Sequence, residues 1–221
     1  MLNRFRGADT RVCRAETHLG TCPAQIPWLQ EHHHELMQLS TNMPDFPKPY
    51  ADRVARLRVP CGFLLVAAFA WFSRPTVASL LFGLPVSIVG LALRGWAAGH
   101  LAKNAQLAQS GPYASVRNPL YIGTLLVAAG LVLASRSAGL GILFAAVFGL
   151  IYLPVIQLEE QHLRSLFPEY AAYAQRVPAL IPRPRLPSGP SFRPQLYLKN
   201  REYEALLGFL VGVALLVWKA F

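Results

Sequence analysis

The chain has 221 residues, 53% of them hydrophobic and 14% charged, with a mean hydropathy of +0.33. That balance excludes an ordinary soluble domain of this size. Its formal net charge of +10 does not call for nucleic acid, because basic loops on one side of a membrane and attraction to anionic lipid headgroups account for it.

Residues 1–42 carry Arg4, Arg6, Arg11 and Arg14 among scattered polar residues and no apolar stretch of signal-peptide type. They read as a disordered N-terminal extension. Met43 stands directly before Pro44-Asp45-Phe46-Pro47 and is a candidate native start. The run Glu31-His32-His33-His34-Glu35 opens like an H-E-x-x-H zinc signature, but position 38 is Gln. Adjacent histidines also diverge on a helix, so the run reads as solvated and no metal site is expected. Cys13, Cys22 and Cys61 lack CxxC spacing, which argues against a disulfide framework or structural zinc.

After Asp52 no Asp or Glu occurs until Glu159, and charged residues leave five uncharged blocks: 59–73, 75–93, 118–135, 137–158 and 205–218. A spanning helix needs roughly 20 apolar residues at about 1.5 Å each. The middle three blocks fit, while the first and last are short and would be extended by snorkelling of Arg58, Arg74 and Lys219. Lipid offers bare backbone no partner, so all five are predicted helices and the fold class is an all-α, polytopic integral membrane protein. With the N-terminus cytoplasmic, fourteen Lys and Arg flank the inner ends, against only Arg74, Arg136 and Lys219 at the outer ends. The positive-inside rule then puts the C-terminus outside. Two inner segments result, 94–118 and 159–204; Pro178, Pro182, Pro184, Pro187, Pro190 and Pro194 predict an extended strap in the second.

Two constellations lie on that inner side. In the first, Gly111-Pro112 marks a turn, and Asn118-Pro119 reads as the cap and first residue of the third span. Taken alone, it is a well-capped helix with interfacial Tyr113 and Arg117. The second is Glu159-Glu160 at the end of the fourth span, where adjacent carboxylates are costly unless hydrated, paired with Arg117 or Arg164, or bound to a cation.

The order Gly111-Pro112-Tyr113, Val116-Arg117-Asn118-Pro119-Leu120-Tyr121, Gly123, an apolar hairpin, then Leu158-Glu159-Glu160, Phe167, Tyr170, Tyr173 and Arg176-Val177-Pro178 resembles the isoprenylcysteine carboxyl methyltransferase family. That family lies within the broader group that includes phospholipid N-methyltransferases, and the resemblance covers about residues 80–185. It implies a bacterial inner-membrane enzyme with a core over 43–204, a last spanning helix over 205–221, and S-adenosylmethionine bound in a cytoplasmic pocket closed by the strap. Tyr113, Val116, Arg117, Asn118, Pro119, Tyr121, Gly123, Glu159 and Glu160 would line that pocket, with Arg117 and Glu159 as catalytic residues. A carboxylate suits the ammonium or a ribose hydroxyl of the cofactor, and Arg117 suits its carboxylate. Neighbours on a helix diverge by about 100°, so the two glutamates would take separate tasks, one toward the cofactor and one toward an arginine.

The implied acceptor is a lipophilic or lipid-modified molecule reached from the bilayer, most like a prenylcysteine carboxylate, with membrane lipids as surroundings and no nucleic acid partner. An amine acceptor would need a base, for which His100 and His162 are the nearby candidates; both read more simply as packing residues. The chain departs from the family pattern in having Asn118 where His is frequent and Pro168 where Gly is frequent. Gly95 and Gly99, four apart, read as a close-packing pair rather than a ligand loop. The alternatives are a phospholipid N-methyltransferase, an NADPH enzyme related to membrane sterol reductases, and an inactive scaffold.

Overall fold

Every apolar block is helical in the computed structural model, which describes residues 46–183, 189 and 191–221, with only the backbone at Lys48, Arg58 and Val59. Helix α1 covers Lys48–Phe72, α2 Val77–Ala98, α3 Pro119–Ser135 and α4 Ala138–Leu166. Short helices α5, Tyr170–Arg176, and α6, Pro194–Lys199, precede α7, Tyr203–Ala220. There is no strand among the described residues. The readings made for residues 1–42, Met43, the Glu31–Glu35 run, Cys13, Cys22, Pro184, Pro187 and Pro190 lie outside the described residues.

By length and composition, α2, α4 and α7 can cross a membrane, and α1 is a fourth span if its two halves, Pro49–Leu57 and Pro60–Phe72, bent by 49°, count as one. The bend falls where Pro60 removes an N–H and crowds the preceding turn. The third expected span, α3, has 17 residues, about 25 Å at about 1.5 Å per residue, less than the roughly 30 Å of a hydrocarbon core. Both its ends are fixed by sequence: Pro119 accepts the first helical position, and Arg136 stops the helix at a left-handed φ of 55°.

Helices α2 and α3 form a hairpin so close that glycine is required at the crossing. A Cβ on Gly90 would stand 2.6 Å from the carbonyl oxygen of Gly123, and Gly83 and Gly130 meet seven residues further along each helix, again inside van der Waals distance. Seven residues are nearly two turns, so each helix presents both glycines on one face. Small residues allow this approach in lipid, where apolar burial does not drive helices together. The Ser87 and Ser79 hydroxyls donate across the seam to the carbonyls of Val127 and Ala134, each at 2.8 Å.

The second pair is α1 with α4. Helix α4 passes through a π turn at Phe148–Tyr152 into Pro154, which brings no N–H for the carbonyl of Leu150 one turn earlier. The Tyr50 hydroxyl of α1 donates to that carbonyl at 2.8 Å. The two ends of the bundle are also tied differently. At one end the Arg74 amide donates to the Ser135 carbonyl at 2.9 Å and Lys219 Nζ to the Ala70 carbonyl at 2.8 Å. At the other, half-buried Arg94 pairs with buried Glu202 at the start of α7 and bonds Thr124 on α3.

Gly90→Leu is expected to destabilise the protein by about 2 kcal/mol or more, because the backbone carbonyl it meets cannot yield. Gly149→Ala, where a Cβ meets nothing within 4 Å, should be nearly neutral. Thermal unfolding in detergent measures both, and equal effects would mean that the hairpin is looser than described.

Candidate functional site

The end of the bundle opposite Lys219 gathers the polar side chains. The chain leaves α2 through a loop over 99–110 and enters a 3-10 turn at Gly111–Ala114. Gly111 has φ 58°, and a Cβ there would sit 2.7 Å from the His100 ring, so both conformation and space demand glycine. Val116 is buried, and the next residue, Arg117, carries its guanidinium into the protein.

Arg117 and Glu160 form an ion pair, Nε to Oε1 at 3.4 Å, with side chains only 2% and 4% exposed. Glu160 also accepts from Asn118 Nδ2 at 2.9 Å. Asn118 is the N-cap residue of α3, as expected, but its side chain makes no cap bond. Its amide points instead to Glu160 and, at 3.2 Å, to the carbonyl of Ala179. The adjacent carboxylates thus diverge, with Glu160 turned inward and Glu159 exposed at the edge of a cavity.

The strap holds this arrangement from outside. The Arg117 amide donates to Pro178 at 2.9 Å and the Arg183 amide to Ser115 at 3.0 Å, while the Tyr173 hydroxyl donates to the Tyr113 carbonyl at 2.8 Å. Its first part packs as helix α5, whose Tyr170, Tyr173 and Ala174 join Leu107 and Val177 in a small core. Its last part is not extended, since Pro194 opens α6, the one place in a helix where a missing N–H costs nothing.

A cavity of about 300 Å³ lies between strap and loop, lined by Tyr113, Arg117, Glu159, His162, Tyr170 and Tyr173 among others. Arg117 and Tyr170, both in its lining, hold polar atoms that are buried without a hydrogen-bond partner: Arg117 Nε and Nη1 and the Tyr170 hydroxyl. Buried donors are almost always paired, so these make the cavity the candidate ligand site. Burial, before any charge, raises the hydroxyl pKa of Tyr113, Tyr170 and Tyr173. Glu159 adds to the effect at Tyr113, and Glu160 at the other two, where Arg117 opposes it.

Of the sequence-predicted residues, Tyr113, Arg117 and Glu159 meet at the cavity, with Asn118 and Glu160 directly behind Arg117. Pro119 is fully buried at the head of α3. Tyr121 lies edge-on to Tyr152 at 6.2 Å, and Gly123 lies in the hairpin crossing, where a Cβ would strike Arg94 and Gly90. His162 lines the cavity, whereas His100 is buried under Gly111. Gly95 and Gly99 pack against Tyr197 and Phe192 of the strap. Among the described residues no three His, Cys, Asp or Glu side chains converge as a metal site. Tyr170, which matters through its unpartnered hydroxyl, was in the motif but not among the expected ligands, and nothing in its spacing separates it from a core tyrosine.

These features define a helical membrane protein with a partly open cavity and a buried ion pair at one end of its bundle. The phospholipid methyltransferase family model matches residues 76–170, from the head of α2 to the first residue of α5. The cobalt-zinc-cadmium resistance protein CzcN of Cupriavidus metallidurans is 38% identical over 146 residues, 63% of this chain and 68% of the relative. The nickel-cobalt-cadmium resistance protein NccN of Alcaligenes xylosoxydans is 34% identical over 141 residues, 59% of this chain and 65% of that relative. No solved structure matches significantly. The chain belongs to the phospholipid methyltransferase family, within the group that includes the isoprenylcysteine carboxyl methyltransferases.

The tyrosines set a pH dependence. A hydroxyl whose folded pKa lies above its unfolded value of about 10 contributes stability that is complete below that pH and lost as pH rises through it. Thermal stability should therefore be flat to about pH 9 and fall above about pH 10. Tyr170→Phe should shallow that fall and, by deleting a buried unpaired hydroxyl, leave stability at neutral pH unchanged or higher. A marked loss at pH 7 in that variant would mean that the hydroxyl already has a protein partner.

Proposed function

We propose that the chain is an S-adenosylmethionine-dependent membrane methyltransferase whose cofactor lies in the cavity between strap and loop. The observation that carries this reading is that two residues lining the cavity, Arg117 and Tyr170, hold buried polar atoms without a partner, Arg117 Nε and Nη1 and the Tyr170 hydroxyl, in a domain of a methyltransferase family. The donor set fits the cofactor's functional groups. Arg117, ion-paired with Glu160, would bind the carboxylate through its guanidinium. Glu159 would take the ammonium or a ribose hydroxyl, and the tyrosine faces would flank the sulfonium. When bound, the cofactor supplies an electrophilic methyl group on a sulfonium.

The residues of the chain would contribute position and the exclusion of water, which account for much of the acceleration of a bimolecular displacement. A carboxylate acceptor is already ionised near neutral pH and asks nothing further of the protein. The acceptor would be lipophilic and enter from the bilayer beside α3 and α4, where Tyr121, Tyr152, Phe148 and Phe144 form a continuous aromatic row. With fourteen basic residues against three, the site end would face the cytoplasm, in a bacterium the inner face of the inner membrane. In the domain reading that follows, the core covers 43–204 and α7 belongs to the last segment, 205–221. No metal binding is carried over from the names of the two relatives.

Calorimetry on the purified protein should show binding of S-adenosylmethionine and not of NADPH. Glu159→Gln should weaken it by about tenfold, as loss of one charge-assisted hydrogen bond implies. NADPH binding without S-adenosylmethionine binding would replace this reading with a reductase, and binding of neither would leave a scaffold. Methyl-labelled cofactor added to membranes would identify the acceptor.

A further inference from the structure

A second cavity, of about 320 Å³, lies on the other face of the loop that walls the first; Ala102, Gln106, Leu107 and Ala108 line both. The polar side chains that line it are those of His100, Gln106, Gln109, Ser110 and Arg193, and no carboxylate is among them. The first cavity, by contrast, has Glu159 at its edge.

We propose that this second cavity binds a phosphate group, free or carried on a lipid headgroup. His100 is 8% exposed, and its Nδ1 lies 2.9 Å from the Trp96 carbonyl. A carbonyl only accepts, so Nδ1 carries the hydrogen and Nε2 is left to accept from a P–OH or, when protonated, to donate to an anionic oxygen. Arg193 is held at the mouth by its own backbone, whose amide donates to the Gly99 carbonyl at 3.0 Å. Beside it the Phe192 ring packs on Gly99 and lies edge-on to His100 at 6.3 Å. The guanidinium has no acidic partner among the described residues, and forked donors of this kind match a phosphate's paired oxygens. Two neutral amides and a hydroxyl supply further donors without adding charge.

The volume is that of a small-ligand pocket rather than of a bare ion, so a phosphate ester fits it. Exposed Phe192 stands next to Arg193 in the chain, a composition suited to the headgroup layer, where an aromatic ring and a basic side chain sit together. The proposal does not depend on what fills the first cavity.

The full chain, purified in detergent, is titrated with inorganic phosphate by calorimetry; in parallel it is placed in nanodiscs of phosphatidylcholine with and without phosphatidylglycerol, and retained lipid is read by native mass spectrometry. Saturable binding in either arm, weakened roughly tenfold or more by Arg193→Gln and left unchanged by Lys199→Gln, is the expected result. The arm that responds names the source of the phosphate. Gln109→Ala serves as a second probe should Arg193→Gln lower the ligand-free melting temperature. No binding in either arm, wild-type binding in both Arg193→Gln and Gln109→Ala, or an equal loss in Lys199→Gln would overturn the proposal, the last because it signals general charge attraction.

Discussion

The ion pair of Arg117 and Glu160 is the interaction on which the site depends, because neither member tolerates burial without the other. Two charges with side chains 2% and 4% exposed lose most of their hydration, a cost of several kcal/mol each that only close pairing and added hydrogen bonds offset. Glu160 has that support from Asn118. Arg117 lacks it at Nε and Nη1, which have no hydrogen-bond partner. A charge that is desolvated but incompletely paired is held in place at a cost met by the fold, so little reorganisation would be needed to bind an anion.

That pair also joins the two halves of the bundle. Helices α2 and α3 are zipped by glycines, and α1 and α4 by the Tyr50 hydroxyl on a carbonyl that Pro154 cannot serve. Between the halves, α3 and α4 touch little beyond their connecting turn, until Tyr121 meets Tyr152 and Arg117 with Asn118 meets Glu160. The strap then spans the same junction, bonded to Ser115, Arg117 and Asn118 through residues 178–183. Polar contacts are concentrated at one end because only there can water and backbone satisfy them; within hydrocarbon each would stand alone.

Much of this was legible in the sequence for a physical reason: the bilayer penalises charge so strongly that helix positions follow from where Asp, Glu, Lys and Arg are absent. The start of α3 at Pro119 was equally plain, since proline at the first helical position is a local rule. What could not be read was partnership across the chain. Nothing in the spacing links Arg94 to Glu202, 108 positions away, and nothing says that Asn118 spends its amide on Glu160 rather than on its own helix. The bounds of α3 were read closely, 118–135 against Pro119–Ser135, but its 17 residues, about 25 Å, fall short of a hydrocarbon core of roughly 30 Å. The latter part of the strap was expected to be extended from Pro178 to Pro194, yet the last of those prolines opens α6; α5 precedes the first of them.

Gly123 shows why a motif should be divided residue by residue before a function is assigned to it. It closes the block that begins at Gly111, yet its missing Cβ makes room for the Arg94 side chain and the Gly90 carbonyl. Arg94, lying in that space, reaches Glu202 and so fixes the start of α7. The last residue of a ligand-like motif therefore acts on the helix hairpin and on a segment beyond the motif's end. Gly111, by contrast, is held by backbone conformation and by the His100 ring, which is also part of the second cavity's wall. Between them, Tyr113 and Arg117 line the first cavity, and Asn118 bonds the carboxylate that pairs with Arg117 and the carbonyl of Ala179. One thirteen-residue stretch from Gly111 to Gly123 thus serves helix packing, two cavities and a buried ion pair. A substitution within it bears on the first cavity directly only at residues that line that cavity, Tyr113 and Arg117.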